Sequence, residues 1–207
     1  MAKICPELML EQSSSPPPPS SSSPYVTSIR ETFTIWMKSL VFHGNGCTVF
    51  NSKGEIIFRI DNYQESCRDE VCLMDLKGQV IFSIKREKLR VFGRWNGYGS
   101  CGRIKGRPLF QVKRNYSMFS SDNVICNVGC DETNVGIGCY KIQQLVRSTS
   151  FKVTNTAGQV VAEVKRKQSS RGFGYGEEVL SLEVQPHIDH SLIVALVTVC
   201  GLIHGKL

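Results

Sequence analysis

SLIVALVTVCGLIHG, residues 191–205, is an apolar run at the C-terminal end of an otherwise polar, turn-rich chain of 207 residues. It reads either as a membrane anchor or as the middle of a core. Leu192 to Ile203 is twelve residues, about 18 Å as a helix at ~1.5 Å per residue. A bilayer core about 30 Å thick takes ~20 apolar residues, so the run is too short to span. It is also apolar all round rather than striped, as a helix enclosed by protein is. Pro186, with Asp189 or Ser191 as N-cap, precedes it and Gly205 follows it, which are start and stop signals. The β-branched Ile193, Val194, Val197, Thr198, Val199 and Ile203 keep a buried strand open, but length and caps favour a helix over about 190–204 that fills a core.

The rest of the chain supplies hairpins. CTVFNSKGEIIFRI (47–60), VCLMDLKGQVIFSIKR (71–86) and FKVTNTAGQVVAEVKR (151–166) align on a glycine. Val49, Leu73 and Val153 coincide; so do Asn51, Asp75 and Asn155; Gly54, Gly78 and Gly158; and Ile60, Ile84 and Val164. An Asn or Asp side chain bonds the backbone that follows it, and Gly three residues on accepts positive φ, so each unit closes a short turn. Flanking Val, Ile and Phe supply the strands. A fourth, partial unit, GRPLFQVKR (106–114), keeps only the second half. Its Lys113-Arg114 pair matches Lys85-Arg86 and Lys165-Arg166, so the outgoing strand repeatedly ends basic. The repeats are irregularly spaced, which excludes a solenoid, and many antiparallel strands joined as meanders point to a barrel or a sandwich.

Composition agrees. Hydrophobic residues are 41% and charged residues 21%, with 18 Gly, 10 Phe, 6 Tyr and 2 Trp, an ordinary turn-rich β chain of one-domain size. QSSSPPPPSSSSP (12–24) offers no core residue, so residues 1–24 read as a disordered Ser/Pro-rich tail ahead of a domain over 25–207. MAKICPELMLEQSSS has no signal-peptide apolar core. The nine cysteines form no CxxC pair and read as free thiols in a reducing compartment, with no metal site.

The net charge of +7 is local. Between Lys85 and Arg114 stand ten basic residues against one acid, Glu87, a net +9 that leaves the remainder slightly acidic. Such a segment suits an anionic partner, although a solvated sheet face also collects Lys and Arg.

Longer stretches are specific enough to place the chain. FTIWMKSLVFHGNGCTVFNSKGEIIFRIDNY (33–63), EVCLMDLKGQVIFSIKREKL (70–89), RWNGY (94–98) and VQPHIDHSLIVALVTVC (184–200) resemble, in order, the LURP-one-related family of plants. The resemblance covers residues 25–207. It implies a tubby-like and scramblase-like architecture, mainly β: a closed antiparallel 12-stranded barrel around one apolar C-terminal helix. It further implies a link to plant defence and, by fold kinship, a phosphoinositide-binding or membrane-tethered regulatory role.

Catalytic chemistry finds no residues to rest on. GYGSCG (97–102) matches G-x-G-x-x-G, but no helix pattern follows and no ribose-binding acid is placed, so it reads as a hairpin loop. SSRGFGYGEEV (169–179) reads likewise as a loop. His187 and His190 have no third ligand at metal spacing, and no nucleophile and base are paired by motif. The expectation is a binding protein and not an enzyme, without a cofactor or metal. Arg86, Lys88, Arg90, Arg94, Arg103, Lys105 and Arg107, with Lys165 and Arg166, face an anionic phospholipid head group, each gaining about 1 kcal/mol near an acidic membrane. A rival is nucleic acid, with Phe92, Trp95, Tyr98 and Phe110 stacking between arginines. A second rival is a scaffold in defence signalling that works through a protein partner. The expected location is cytoplasmic, peripheral at a membrane, or nuclear, with no transmembrane span.

Overall fold

The computed structural model describes residues 23–37, 46–61, 69–87, 94–99, 107–115, 124–130, 139–144, 150–168, 176 and 178–203, with the side chains of Val124 and Cys130 left aside. These residues form twelve strands and one helix: β1 (Glu31–Trp36), β2 (Gly46–Phe50), β3 (Ile56–Asp61), β4 (Glu70–Met74), β5 (Val80–Glu87), β6 (Arg94–Gly99), β7 (Phe110–Arg114), β8 (Val124–Cys130), β9 (Tyr140–Gln144), β10 (Phe151–Asn155), β11 (Val160–Arg166), β12 (Val179–Val184) and α1 (His190–Ile203). Each strand pairs antiparallel with its sequence neighbours, and β1 pairs with β12, so the sheet closes into a barrel. The tail expected over 1–24 lies outside the described residues except for Ser23 and Pro24, which form a turn with Val26 N bonded to Ser23 O at 3.1 Å.

The repeated hairpins form as their sequences require. Asn51 Oδ1 accepts from Lys53 N and Glu55 N, each at 2.9 Å, and Asp75 Oδ1 accepts from Lys77 N and Gln79 N, each at 2.8 Å. Gly54, Gly78 and Gly158 have φ of 81°, 76° and 77°, which an L side chain rarely adopts. Register slips by one residue at the mouth of each hairpin, at Val49/Phe50, Leu73/Met74 and Val153/Thr154. A type I turn followed by a left-handed glycine creates that bulge.

Twelve strands spaced about 4.8 Å apart and tilted by about 40° close at a radius of roughly 12 Å, where a barrel of about eight is filled by its own side chains. The extra room takes α1, which is 14 residues long and about 21 Å from end to end. Ser191 to Gly201 are all buried. Around them the wall turns in Ile35, Val49, Phe58, Ile60, Leu73, Ile84, Phe110, Val112, Ile142, Val164 and Leu182. Alternate positions, such as Thr34, Ser83, Lys85, Gln111, Lys113, Lys141, Glu163, Lys165, Ser181 and Glu183, are half-buried or exposed. Apolar inside and polar outside is the reverse of a membrane-spanning barrel, and no helix among the described residues is long and apolar enough to cross a membrane.

Asp189 caps α1. Its Oδ1 accepts from Ser191 N at 2.9 Å, Ser191 Oγ at 2.6 Å and Leu192 N at 3.3 Å. His190 N donates to Tyr25 O, and Ile193 N to Asp189 O. Every amide of the first turn therefore has a protein acceptor.

One glycine string behaves in part otherwise than as a loop. Gly97 and Gly99 of GYGSCG lie in β6, not in a hairpin loop. Gly97 is opposite Phe110 in the β6–β7 register, and the Phe110 ring occupies the space where a Gly97 side chain would stand. Glycine is needed there for packing, and residues 100–102 lie outside the described set. Of 169–179, Val179 opens β12, while 169–175 and 177 are outside it.

Candidate functional site

Strand direction decides which basic residues meet. In a closed meander all odd-numbered strands run the same way, so β1, β5, β7 and β11 end at one rim and β12 begins there. α1 starts at the opposite rim, where Val26 bridges Asp189. It ends at the rim of the odd strand ends: Cys200 touches Cys126, and Cys126 pairs in register with Arg114.

At that rim β5, β6 and β7 are neighbours. Arg94 opens β6 between Glu87 of β5 and Lys113 of β7, and Lys85, Arg86, Lys113 and Arg114 are exposed. Two strand spacings separate β5 from β7, about 10 Å, so these residues form one basic arc. Acids temper it: Lys85 Nζ is 3.0 Å from Glu70 Oε1, and Arg86 Nη1 is 3.7 Å from Asp69 Oδ1. Arg94 is different in kind. Its side chain is only 17% exposed, with Nε 3.7 Å from Glu87 Oε2, too long for a hydrogen bond, so it belongs more to the wall than to a ligand surface.

Of the other expected residues, the described ones are dispersed. Lys88, Arg90, Arg103 and Lys105 lie outside the described residues. Arg107 precedes β7 and so sits at the opposite rim from Arg86 and Arg114. Lys165 and Arg166 end β11, at the same rim as Arg86 but six strands away in a ring of twelve, which is diametrically opposite. Lys165 Nζ pairs with Glu163 Oε2 at 2.9 Å, and that carboxylate holds the Lys165 pKa above its ordinary value. The basic strand ends thus share a rim but form two arcs. Lys113 and Arg114 were visible in the repeat pattern, but their place beside β5 appears only once the strands are ordered.

Arg86, Arg114 and Arg166 each stand two residues beyond an inward-facing core residue, Ile84, Val112 and Val164. They top inward-facing rows at the end where α1 terminates. α1 itself has no basic residue in its last turn.

The stacking surface suggested by interleaved aromatics is largely interior. Trp95 and Phe110 are buried, Phe110 lies edge-on to Phe82 with centroids 5.6 Å apart, Tyr98 is half-buried, and Phe92 is outside the described residues.

A cleft of about 400 Å³ opens at the other rim, beside the start of α1, with Tyr25, Glu31, Ile57, Asp75, Leu76, Lys77 and His190 in its lining. No motif announced it, because it is assembled from the turns of two hairpins, the entry to β1 and the helix cap. Its mixture of carboxylates, one ammonium and apolar groups specifies no single chemistry, and the capped first turn of α1 presents no open amides to an anion. No group of three or more His, Cys, Asp or Glu able to hold a metal occurs among the described residues.

The family model for LURP-one-related proteins matches residues 31–201. The chain belongs to the LURP-one-related family. Among its relatives are two Arabidopsis thaliana proteins. LURP-one-related 4 is 45% identical over 187 residues, covering 88% of this chain and 83% of the relative. LURP-one-related 11 is 43% identical over 213 residues, covering 99% and 89%. An X-ray structure of an Arabidopsis thaliana protein superposes with a TM-score of 0.60 over 84% of this chain and 91% of its own, at 17% identity, a likeness of fold. In this LURP-one-related chain the stretches that carry the resemblance hold the barrel together. Cys47 of HGNGC bonds Thr198 of the helix, Arg59 Nη2 of RIDNY lies 2.9 Å from Asp61 Oδ2, and Gly97 of RWNGY makes room for Phe110.

Proposed function

We propose that this LURP-one-related protein is a non-enzymatic binding module that docks reversibly on membranes carrying anionic, phosphoinositide-type phospholipids, as a membrane-tethered regulator in plant defence. The supporting observation is the adjacency of β5, β6 and β7, which gathers Lys85, Arg86, Lys113 and Arg114 on one arc of the rim. Near an acidic bilayer each exposed cation gains about 1 kcal/mol, and the ion pairs to Asp69 and Glu70 reduce that sum. The result is weak, salt-sensitive docking that other contacts must supplement.

Vesicle co-sedimentation at about 0.15 M salt tests this. Wild type should bind phosphatidylcholine vesicles containing phosphatidylserine or a phosphoinositide and leave pure phosphatidylcholine vesicles unbound. Lys113→Glu with Arg114→Glu should abolish binding. A phosphoinositide preference over phosphatidylserine at equal vesicle charge supports head-group recognition. Equal binding to DNA and to every anionic vesicle, lost together as salt rises, would reduce the arc to nonspecific charge. A stable protein partner captured without any lipid preference would favour the scaffold reading.

A further inference from the structure

The chain has two tryptophans. Trp95 is buried at 5% exposure, whereas Trp36, the last residue of β1, is 38% exposed. Trp36 lies on the outer face of the barrel in register with Val179 of β12 and Thr48 of β2. Because β1 is an odd strand, Trp36 stands at the same rim as the basic strand ends. Lys167, just past β11, reaches across β12 and donates from Nζ to Thr34 Oγ1 at 2.6 Å. Thr34 and Trp36 share a face two residues apart, about 7 Å. The β11–β12–β1 arc therefore combines Lys165, Arg166 and Lys167 with one exposed indole. Glu163 and Glu178 stand there too, so this arc is only mildly cationic, and its distinguishing group is the indole.

We propose that the barrel docks end-on, with the rim of the odd strand ends lying in the anionic interface of a bilayer and Trp36 inserted there as an anchor. This rests on the lipid-docking reading above and adds an orientation and an anchoring residue. The geometry is restrictive. β5 and β11 are opposite in the ring, so their basic arcs can touch one flat surface together only if the barrel axis stands across it. Side-on docking would use one arc and press outward-facing carboxylates such as Glu163 and Glu183 against anionic lipid, which electrostatics opposes. End-on docking brings both arcs and Trp36 to the surface. An indole is suited to that depth, with an apolar body for the acyl boundary and an N–H for the head groups. The other exposed large hydrophobics among the described residues, Ile29, Leu76 and Val160, are aliphatic and stand at the opposite rim, so the basic rim is the one that carries an exposed indole.

Tryptophan fluorescence with lipids brominated in the upper acyl chain tests orientation separately from binding. On anionic vesicles the wild type should show a blue shift and quenching. Trp36→Phe, a substitution at a half-exposed rim position, should remove both while leaving the buried Trp95 emission unquenched. Trp36→Ala should weaken vesicle affinity by about tenfold, with the urea unfolding midpoint checked to confirm the fold. Sedimentation with anionic vesicles but without quenching of Trp36 would overturn end-on docking and leave lipid binding standing. Absence of sedimentation would overturn the reading on which it rests.

Discussion

The ring of Phe110 fills the space that a side chain on Gly97 would need, across the β6–β7 pair in which the two residues are register partners. Phe110 is fully buried and lies edge-on to Phe82, so it has nowhere to retreat. Gly97→Ala is expected to cost about 2 kcal/mol through overpacking. In a domain of this size that lowers the melting temperature by roughly 4–8 °C. Phe110→Leu should recover part of the loss in the Gly97→Ala background, as a double-mutant cycle by urea denaturation would register. Strictly additive losses would mean that the two residues do not compete for space.

The second prediction concerns α1. Its core-facing residues supply the only long apolar element enclosed by the described strands, and Leu196 is fully buried within it. Leu196→Ala should destabilise by about 3 kcal/mol, and Asp189→Ala, which removes the cap, by about 1 kcal/mol. Deleting 191–207 should leave a wall with no filling, which does not fold. A soluble truncation that melts cooperatively would contradict a structural role for the helix.

These features were legible because their causes are local. An Asx residue bonding the amide four positions on, and a glycine at positive φ, operate within five residues, so Asn51, Asp75 and Asn155 announced their turns. A run too short for a bilayer and too apolar for a surface left α1 one place to go. What decides the rim is not local. Arg86 and Arg107 are close in sequence yet stand at opposite ends of the barrel, because a strand separates them. Lys113 and Arg114, seen as a repeat feature, join the site only through the pairing of β7 with β6. The glycines of GYGSCG looked like loop residues because Gly is common in loops, and the competing demand, a phenylalanine ring from the next strand, is written thirteen residues later. Trp36 drew attention only as part of a recognisable segment, since exposure at a rim depends on where β1 stops.

A third prediction separates the thiols. Cys47 is fully buried against the helix, and burial pushes its pKa up to about 12, with Asp61 adding to the rise and a hydrogen bond from Thr198 opposing it. At about pH 8 roughly one molecule in ten thousand would carry the thiolate, the nucleophilic form. Cys139 is exposed. Brief alkylation of native protein followed by peptide mass mapping should therefore label Cys139 and spare Cys47, with Cys47 labelled only after denaturation. Labelling of both at equal rates would show that the barrel opens readily around Cys47.

The last prediction is a pH dependence centred on His190, the first residue of α1. Its imidazole packs among Tyr25, Phe33 and Phe58, with ring centroids at 5.8, 5.2 and 5.8 Å. Its Nδ1 is buried with no hydrogen-bond partner among the described residues. Burial lowers its pKa below the ordinary 6.5, while Asp189 and Glu31 act in the opposite sense. The folded protein therefore holds His190 neutral at a pH where the unfolded chain already binds a proton. A base depressed in the fold stabilises above the unfolded pKa, and that contribution is lost as pH falls from about 6.5 towards the lower folded value. Urea midpoints should drop between about pH 7.5 and about pH 5.5, and the drop should be smaller in His190→Gln, which cannot titrate in that range. Tyr25 remains neutral throughout, its pKa raised by burial and then by Asp75 and Asp189, so the phenol contributes nothing to the slope. If wild type and His190→Gln lose stability equally, the sensitivity belongs to the carboxylates and not to the imidazole at the mouth of the barrel.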